Sequence, residues 1–322
     1  MIIICRSLPS SARKRLFPAI GALFSGYAAK ATTMYDFARG HPNKALLPLH
    51  EMQEILTKAA SAENQERLLA SMNYLKSDQG DPDLRDQISA FVDRHTLDDS
   101  LGTPPPEAIK PTSPPSSNIF LTHGVSHGLE MLCTTQTKPG DVVLLERPTY
   151  FLAADIFESH RLTLDSLPMR LTGGVDVDKL AQLLDSNKIE PPRMIYIIPT
   201  HQNPTARSMS IEDRWKLSIL AARYGILVAA DEVYHLLDWR DLEIDGPRPS
   251  RMALIGSYLE ELASRHKTKD GRLGGCVTVS AFTKIFSPGV RCGWIEGAPE
   301  IIKSLVDLGY IKSQVGGIAL CS

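Results

Sequence analysis

The amino-acid sequence predicts an α/β fold in which a mostly parallel sheet lies between layers of helices. Short apolar segments alternate along the chain with longer amphipathic segments, which is the order of strands and helices in α/β folds. Residues 226–230 are uniformly apolar and are followed by an acid, which is typical of a parallel strand buried on both faces. The 322 residues are enough for a large core and about two domains.

Composition limits the classes of function. Hydrophobic residues make up 43% and charged residues 22% of the chain, which indicates a globular protein. The net charge of −2 gives no basis for nucleic-acid binding by charge, and no apolar run reaches the roughly 20 residues of a membrane span. The five cysteines form no CxxC pair, so we expect reduced thiols. We expect neither nucleic acid nor membrane as a partner.

The first 34 residues differ in composition from the rest of the chain. They are basic and contain many Ser and Ala residues, and no acidic residue precedes Asp36. This composition is typical of a mitochondrial transit peptide and predicts a mitochondrial location. The alternative is a disordered tail without targeting meaning, in a cytoplasmic protein.

Two predicted helices and two predicted insertions organise much of the chain outside the strands. Residues 49–72 have helical periodicity, and Pro82 marks the first turn of a second helix. Residues 98–117 contain six prolines among Ser, Thr and Gly, which predicts a surface insertion. Residues 239–273 are polar and charged around one helical stretch, and we interpret them as a second insertion or a lid.

A turn between a predicted strand and a predicted helix contains Gly124, Val125 and Ser126. Free backbone N–H groups at the start of a helix bind anions, so this turn is a candidate anion site. His123 and His127 are four residues apart in the same segment. No third metal-binding side chain follows them at a spacing typical of metal sites. We therefore interpret them as turn histidines and expect no metal site.

The same turn supports a second interpretation as a serine hydrolase. The sequence G-V-S-H-G matches the G-x-S-x-G nucleophile elbow and has the strand-turn-helix context that this motif needs. Ser126 would be the nucleophile, Asp231 the acid, and His235 or His266 the base. This alternative leaves Lys284 without a role.

Three further candidates follow the ends of predicted strands. Tyr150 comes after the strand at 141–146 and can stack on a flat ligand, or it is a core residue at a helix start. Asn203 is held extended by Pro204, so its amide can point at a ligand. Asp231 either needs a cation in a buried site or caps a helix. Ligands in open α/β sheets bind at the carboxyl ends of strands, where these residues lie.

Residues 280–294, S-A-F-T-K-I-F-S-P-G-V-R-C-G-W, carry the most specific pattern. They follow a predicted buried strand, and a Pro-Gly turn separates Lys284 from Arg291. An amine in an apolar pocket can form a Schiff base with a carbonyl group, and a guanidinium can bind a phosphate through two hydrogen bonds. This pair meets the requirements of pyridoxal phosphate. The alternative is a strand-to-loop junction with a solvated lysine and arginine.

The run resembles the cofactor-lysine signature of class I and II aminotransferases, in loose form S-x-x-K-x-x-x-P-G-x-R-x-G-[WY]. Ala281 departs from this pattern, because the family usually has Ser or Thr three residues before the lysine. Ser280 and Thr283 flank that position, and we expect them to supply the hydroxyl group instead. The segments N-P-T-A at Asn203 and D-E-V-Y at Asp231 are similar to the family motifs N-P-[TS]-G and D-x-x-Y.

The resemblance implies the fold type I architecture of pyridoxal-phosphate-dependent transferases, with a mostly parallel, seven-stranded sheet. It implies transfer of an amino group between an L-amino acid and a 2-oxo acid, and it favours the aromatic, kynurenine or 2-aminoadipate type. It also implies a homodimer, in which Tyr74 reaches the cofactor phosphate of the neighbouring subunit. Gly40 is expected to lie over the substrate.

The remaining roles are also implied by the resemblance. Lys284 is the catalytic residue that holds the cofactor and moves protons. The other implied contacts are with the phosphate (Gly124, Val125, Ser126, Ser280, Thr283, Arg291), the ring face (Tyr150), the ring nitrogen (Asp231) and the phenolate oxygen (Asn203, Tyr234).

The resemblance also suggests the domain organisation. Residues 1–34 are a targeting or disordered segment, 35–73 an N-terminal arm with part of a small domain, and 74–310 the large cofactor-binding domain. Residues 311–322 are expected to begin a truncated C-terminal small domain, and no arginine follows Arg291 to bind the substrate's α-carboxylate. An inactive or non-catalytic cofactor-binding homologue therefore stays open, as does a lyase or synthase with the same cofactor.

Overall fold

The computed structural model describes residues 42–74, 77–96, 98–108, 115–238, 248–266 and 273–308. The predicted targeting segment and Gly40 lie outside these ranges. The chain divides into two compact units, Met1–Leu47 and Pro48–Ser322. In the first unit, the described residues form a short 3₁₀ turn, Lys44–Leu46. None of the described helices is long and apolar enough to cross a membrane.

The described part of the second unit contains a seven-stranded sheet. Its strands are β1 (Ile119–Thr122), β2 (Val142–Leu145), β3 (Thr163–Ser166), β4 (Met194–Ile197), β5 (Leu227–Asp231), β6 (Gly275–Ala281) and β7 (Gly293–Glu296). Their order across the sheet is β1-β7-β6-β5-β4-β2-β3. Strands β2 to β6 pair in parallel, and β7 pairs antiparallel with β6 and with β1. The predicted fold class is therefore confirmed.

Ten α-helices lie within the described ranges. They are α1 (Leu49–Ala59), α2 (Gln65–Ser71), α3 (Pro82–Arg94), α4 (Val125–Gln136), α5 (Phe151–Ser159), α6 (Val177–Asp185), α7 (Ile211–Tyr224), α8 (Met252–Ser257), α9 (Glu260–Arg265) and α10 (Pro299–Val306). Local signals fix the ends of α7. The Ser210 side chain accepts a hydrogen bond from the Asp213 N–H at 3.1 Å, and Gly225 follows in the left-handed conformation.

The two faces of the sheet build separate apolar cores. Every residue of β4 is buried, and alternate residues of a strand point to opposite faces. Tyr196 therefore packs with residues of α4, α5 and α10, whereas Ile195 and Ile197 pack with residues of α6, α7 and α8. The helices cover both faces of the sheet, so the central strands are buried.

One predicted segment differs from the structure. The pattern at 49–72 forms two helices, because a 3₁₀ segment at Ala62–Asn64 interrupts it. Two described residues of the predicted insertion at 98–117 form hydrogen bonds with distant parts of the same unit. The Ser100 and Ser250 hydroxyl groups share a hydrogen bond of 2.5 Å, and the Leu101 carbonyl accepts one from the Trp215 indole N–H at 2.8 Å.

Candidate active site

The candidate site lies at the carboxyl ends of β4, β5 and β6. Asn203 follows β4, Asp231 ends β5, and Lys284 stands in the turn after β6. Because β4, β5 and β6 are parallel neighbours, these three strands end at the same edge of the sheet. This edge is where ligands bind in open α/β sheets.

Asp231 is buried, with 4% of its surface exposed. Tyr196 on β4 donates its hydroxyl hydrogen to Oδ2 at 2.9 Å, whereas the buried Oδ1 has no hydrogen-bond partner among the described residues. Burial raises the pKa of Asp231 to about 6, against the opposing effects of the Tyr196 hydrogen bond, a hydrogen bond from the Val233 backbone N–H and the charge of Lys284. Leaving a buried carboxylate oxygen without a donor is unfavourable, so Oδ1 marks a place for a ligand N–H group.

Tyr234, Asn203 and Lys284 surround this carboxylate. Burial raises the pKa of the Tyr234 hydroxyl group, the charge of Asp231 raises it further, and hydrogen bonding with the Asn203 side chain opposes both effects. The Lys284 Nζ atom lies 5.9 Å from the centroid of the Tyr234 ring. The structure therefore brings these side chains together, with an amine, an amide and a phenol around one buried acid.

The turn from β1 into α4 presents backbone donors. Gly124 precedes the helix with a φ of 92°, and the first bond of the helix joins the Gly128 N–H to the Gly124 carbonyl at 3.1 Å. The N–H groups of Val125 and Ser126 lie before that bond and have no carbonyl partner within the helix. They are available to an anion.

Arg291 lies beside this turn because β1 and β7 pair, with Thr122 opposite Gly293. Its Nη2 atom donates to the His123 carbonyl at 2.6 Å. A Cβ atom at Gly124 would lie 2.8 Å from the same Nη2, so a glycine at this position leaves room for the guanidinium. A positive charge and free N–H groups at one helix start are suited to a phosphate group.

His123 and His127 lie in the same turn. The His123 N–H donates to Nδ1 of His127 at 3.1 Å. Burial lowers the pKa of both imidazoles, and the charge of Arg291 lowers it further. Within the described ranges, no group of three or more His, Cys, Asp or Glu side chains could hold a metal ion.

Tyr150 joins the site from the loop after β2. The residue is half-buried, and burial and the charge of Asp231 both raise the pKa of its hydroxyl group. Gln202 donates its side-chain N–H to the Pro148 carbonyl at 2.7 Å, which links this loop to the one that carries Asn203. The aromatic ring is therefore held close to the buried acid.

Ser280 is not placed where the sequence predicts. Its hydroxyl group donates to the Glu232 carbonyl at 3.4 Å. Because alternate residues of β6 point to opposite faces, Ser280 shares a face with Thr278, and Ala281 lies on the other face. The structure does not support Ser280 as the substitute for the missing hydroxyl group at Ala281. Thr283, half-buried in the turn after β6, remains the candidate.

The serine hydrolase alternative does not find its triad. Ser126 is exposed at the second position of α4. Asp231 accepts a hydrogen bond from the Tyr196 hydroxyl group, and among the described residues neither His235 nor His266 donates one to it. His266 lies after α9, where its Nδ1 atom is 2.9 Å from the Leu262 carbonyl. Asp231 is therefore not placed as the acid of a serine hydrolase triad.

Sequence reasoning did not identify Tyr196 as part of the site. The available signal was a polar hydroxyl group inside an otherwise apolar strand, at residues 194–197. Such a group needs a buried partner, and the neighbouring strand supplies Asp231.

A family model described as aminotransferase class I and II matches residues 47–310. The chain belongs to this family. Among its relatives, an aromatic amino acid aminotransferase of Schizosaccharomyces pombe is 27% identical over 278 residues, which cover 82% of this chain and 57% of that protein. The matched region spans between 37% and 57% of the first curated aminotransferase relatives.

Solved aminotransferase structures share the fold. The α-aminoadipate aminotransferase LysN of Thermus thermophilus, complexed with N-(5′-phosphopyridoxyl)-L-leucine, matches with a TM-score of 0.62 and 23% identity, covering 88% of this chain and 62% of that one. The kynurenine aminotransferase of Pyrococcus horikoshii matches with a TM-score of 0.68 and 21% identity, covering 97% and 66%. The architecture is therefore the fold type I arrangement of aminotransferases.

Proposed function

We propose that this chain binds pyridoxal 5′-phosphate and transfers an amino group between an L-amino acid and a 2-oxo acid. The observation that carries the proposal is the buried Oδ1 of Asp231, which has no hydrogen-bond partner among the described residues. The same sheet edge offers the amine of Lys284 and the anion site at Arg291. A matching ligand carries an N–H group, a carbonyl group and an anionic group, and pyridoxal phosphate has all three.

The chain has side chains for each part of this cofactor. Arg291 and the N–H groups at the start of α4 would bind the phosphate. Asp231 Oδ1 would accept a hydrogen bond from the protonated ring nitrogen. Tyr150 would cover the ring face, and Asn203 and Tyr234 would donate hydrogen bonds to the phenolate oxygen.

Pyridoxal phosphate supplies a conjugated ring that accepts the electron pair left when a bound amino acid loses its α-proton. Asp231 would keep the ring nitrogen protonated, because a buried carboxylate is stabilised by a cation at contact distance. The amine of Lys284 is the group that would take the proton from the substrate carbon and return it, as general base and then as general acid.

The substrate class and the assembly are also proposals. The relatives and structural neighbours described above are named as aromatic amino acid, α-aminoadipate and kynurenine aminotransferases, and we propose substrates of these classes for this chain. We also propose a homodimer, in which Tyr74, 88% exposed in the single chain, reaches the phosphate site of the other subunit. A mitochondrial location stays a prediction from composition.

The first test is to trap the cofactor on the protein. We expect pyridoxal phosphate to produce a visible absorbance band, and we expect reduction with borohydride to attach the cofactor to the peptide that contains Lys284. Absence of the band in a folded protein, or attachment at another lysine, would contradict the proposal. Addition of single amino acids, with analysis of the products, then separates amino transfer, which leaves a 2-oxo acid of the same carbon skeleton, from lyase chemistry, which cleaves it.

Gly124→Ala is expected to weaken cofactor binding about tenfold, because the added Cβ atom displaces the Arg291 guanidinium from the phosphate position. The matched control is Gly140→Ala. Gly140 has a φ of 90°, and nothing lies within 4 Å of an added Cβ atom, so this variant carries similar backbone strain without the clash.

Both glycine variants are expected to lose about 1 kcal/mol of folding free energy. Thermal melts measure that loss, and a spectroscopic titration with pyridoxal phosphate measures affinity. Equal affinities for the two variants would contradict the placement of the phosphate at Gly124 and Arg291.

A further inference from the structure

Arg214, in the first turn of α7, has a fully buried side chain that no role above explains. Its Nη2 atom donates to the Pro199 carbonyl and to the Thr200 hydroxyl oxygen, both at 2.8 Å. Its Nη1 atom donates to Glu232 Oε1 at 3.1 Å and to the Ser250 carbonyl at 2.9 Å. One guanidinium therefore joins the end of β4, the end of β5 and the segment before α8.

Glu232 extends this connection to β6. Its Oε2 atom accepts hydrogen bonds from the Thr278 hydroxyl group at 2.5 Å and from the Met252 N–H at 3.0 Å. Glu232 follows Asp231 directly, and Thr278 lies on the strand that leads to Lys284. The buried side chains of Arg214 and Glu232 thus connect β4, β5 and β6, the three strands whose ends carry the candidate site.

We propose that Arg214 is a positioning residue, which fixes the loop that carries Asn203 relative to the strand ends that carry Asp231 and Lys284. The inference rests on the proposed function, since it concerns how those side chains are held for pyridoxal phosphate. Arg214 touches neither the cofactor position nor a substrate, and it acts through Pro199, Thr200 and Glu232.

The chemistry of the guanidinium explains why an arginine serves here. Its donors form a rigid planar fork, so one side chain can reach three carbonyl groups, a hydroxyl group and a carboxylate at once. A lysine amine is a compact donor on a flexible stem and cannot span the same set. A buried ion pair is weak evidence for stability, because desolvation offsets much of the attraction between the charges. The geometry imposed on the two loops is therefore the main consequence of this pair.

The same two loops meet again nearer the surface. His201, two residues before Asn203, has its Nε2 atom 3.4 Å from Asp238 Oδ1, on the chain that continues from Tyr234. Arg214 donates to carbonyl groups and a hydroxyl group as well as to Glu232, so most of its contacts between the loops involve groups that do not titrate near neutral pH.

The test compares Arg214→Lys with Arg193→Lys as a matched control. Arg193 is also buried, with 6% exposed, and its guanidinium donates to the Gln136 carbonyl, the Gln136 side chain and the Gly225 carbonyl. It precedes β4 and therefore lies at the opposite end of the sheet from the candidate site. Both substitutions remove a buried guanidinium that joins separate segments. Only Arg214→Lys removes contacts to the loops of the candidate site.

We expect both variants to melt at a lower temperature than the wild type. Only Arg214→Lys is expected to bind pyridoxal phosphate about five- to tenfold more weakly, as the misplacement of one hydrogen-bonded group predicts. The pH midpoint of the visible band is expected to shift in the same variant, because Asn203 and Tyr234 set the charge on the phenolate oxygen. If Arg214 only stabilised the fold, the substitution would lower the melting temperature and leave the pH midpoint of the visible band unchanged.

A second variant keeps the inference testable if Arg214→Lys does not fold. Thr200→Val removes one acceptor of the guanidinium while keeping the shape of the side chain, and a smaller shift of the midpoint in the same direction is expected. Wild-type-like affinity and midpoint in the folded Arg214 or Thr200 variant, or equal changes in Arg193→Lys, would overturn the positioning role alone. A wild-type protein without the visible band would overturn both this inference and the proposed function.

Discussion

Asp231→Asn is expected to make the cofactor-free protein more stable at pH 7 to 8 while lowering turnover about 10- to 100-fold. The pKa of Asp231 is raised from 3.8 to about 6, mainly by burial. The folded state thus binds this proton more tightly than the unfolded state. The contribution of this proton to the free energy of unfolding is fully present below about pH 4. It is lost as the pH rises through about 6. The difference between the two pKa values corresponds to about 3 kcal/mol of unfolding free energy.

Asparagine does not ionise, so the variant keeps that stability at neutral pH, and its side-chain oxygen can still accept the Tyr196 hydrogen bond. The loss of turnover also results from removing the negative charge of residue 231. An amide carries no charge to stabilise a protonated ring nitrogen, and hydrogen bonds between charged groups are worth about 1.5 to 3 kcal/mol. Denaturant unfolding of the cofactor-free protein from pH 4 to 8, with turnover of the loaded protein, measures both effects.

Asp213→Asn is the matched control for this pair of measurements. Asp213 accepts two hydrogen bonds from Arg170, at 2.7 and 2.8 Å, and these bonds lower its pKa. Its contribution to stability is therefore present above the unfolded pKa and is lost as the pH falls. We expect Asp213→Asn to destabilise the protein at pH 7 with little effect on cofactor binding. A cofactor-free Asp231→Asn protein that is less stable than the wild type at pH 8 would contradict the assignment of Asp231 as an uncompensated buried acid.

Lys284→Ala is expected to abolish borohydride trapping and to lower turnover by about 10²- to 10⁴-fold, the range for loss of a positioned acid or base. The cofactor-free protein is expected to keep its melting temperature. Lys284 is exposed in a turn, and substitutions at such positions usually change stability by less than about 0.5 kcal/mol. Cofactor held by Arg291 and Asp231 without the lysine is expected to show a different absorbance spectrum.

Lys303→Ala provides the comparison for the lysine variant. Lys303 pairs with Asp307 near the end of α10, and its side chain is 73% exposed. We expect wild-type trapping and turnover from this variant. Turnover retained in Lys284→Ala would rule out Lys284 as the proton carrier, and trapping retained there would show that another amine holds the cofactor.

The sequence was sufficient to locate most of the candidate site, because most of its residues follow the ends of predicted strands. Asn203, Asp231 and Lys284 each stand at or just after the carboxyl end of a predicted parallel strand, and such ends meet at one sheet edge. The turn at Gly124 could be recognised because a strand, a glycine and a helix follow each other directly. In these cases, local sequence alone determines at which edge of the sheet the residue lies.

The remaining features depend on contacts between distant segments. Ser280 was assigned by its distance from the lysine along the chain, whereas the pleat of β6 turns its hydroxyl group to the other face. The partner of Tyr196 follows from the pairing of β4 with β5, which the sequence of neither strand specifies. Arg214 sits on a helix that the sequence predicts well, but its acceptors come from the loop after β4, the end of β5 and the segment before α8.

The position of β7 between β1 and β6 has a consequence for how the protein is made. Thr122, Gly293 and Ala281 are neighbours across these three strands, so the turn at Gly124 and the turn at Lys284 are set side by side by a late segment of the chain. At a synthesis rate of about 5 to 20 residues per second, the apolar strand β1 leaves the ribosome roughly 10 to 35 s before β7, its neighbour in the described sheet. During that interval β1 has an unpaired edge, the kind of surface that binds chaperones and aggregates. The candidate site is therefore completed only after this interval, late in synthesis.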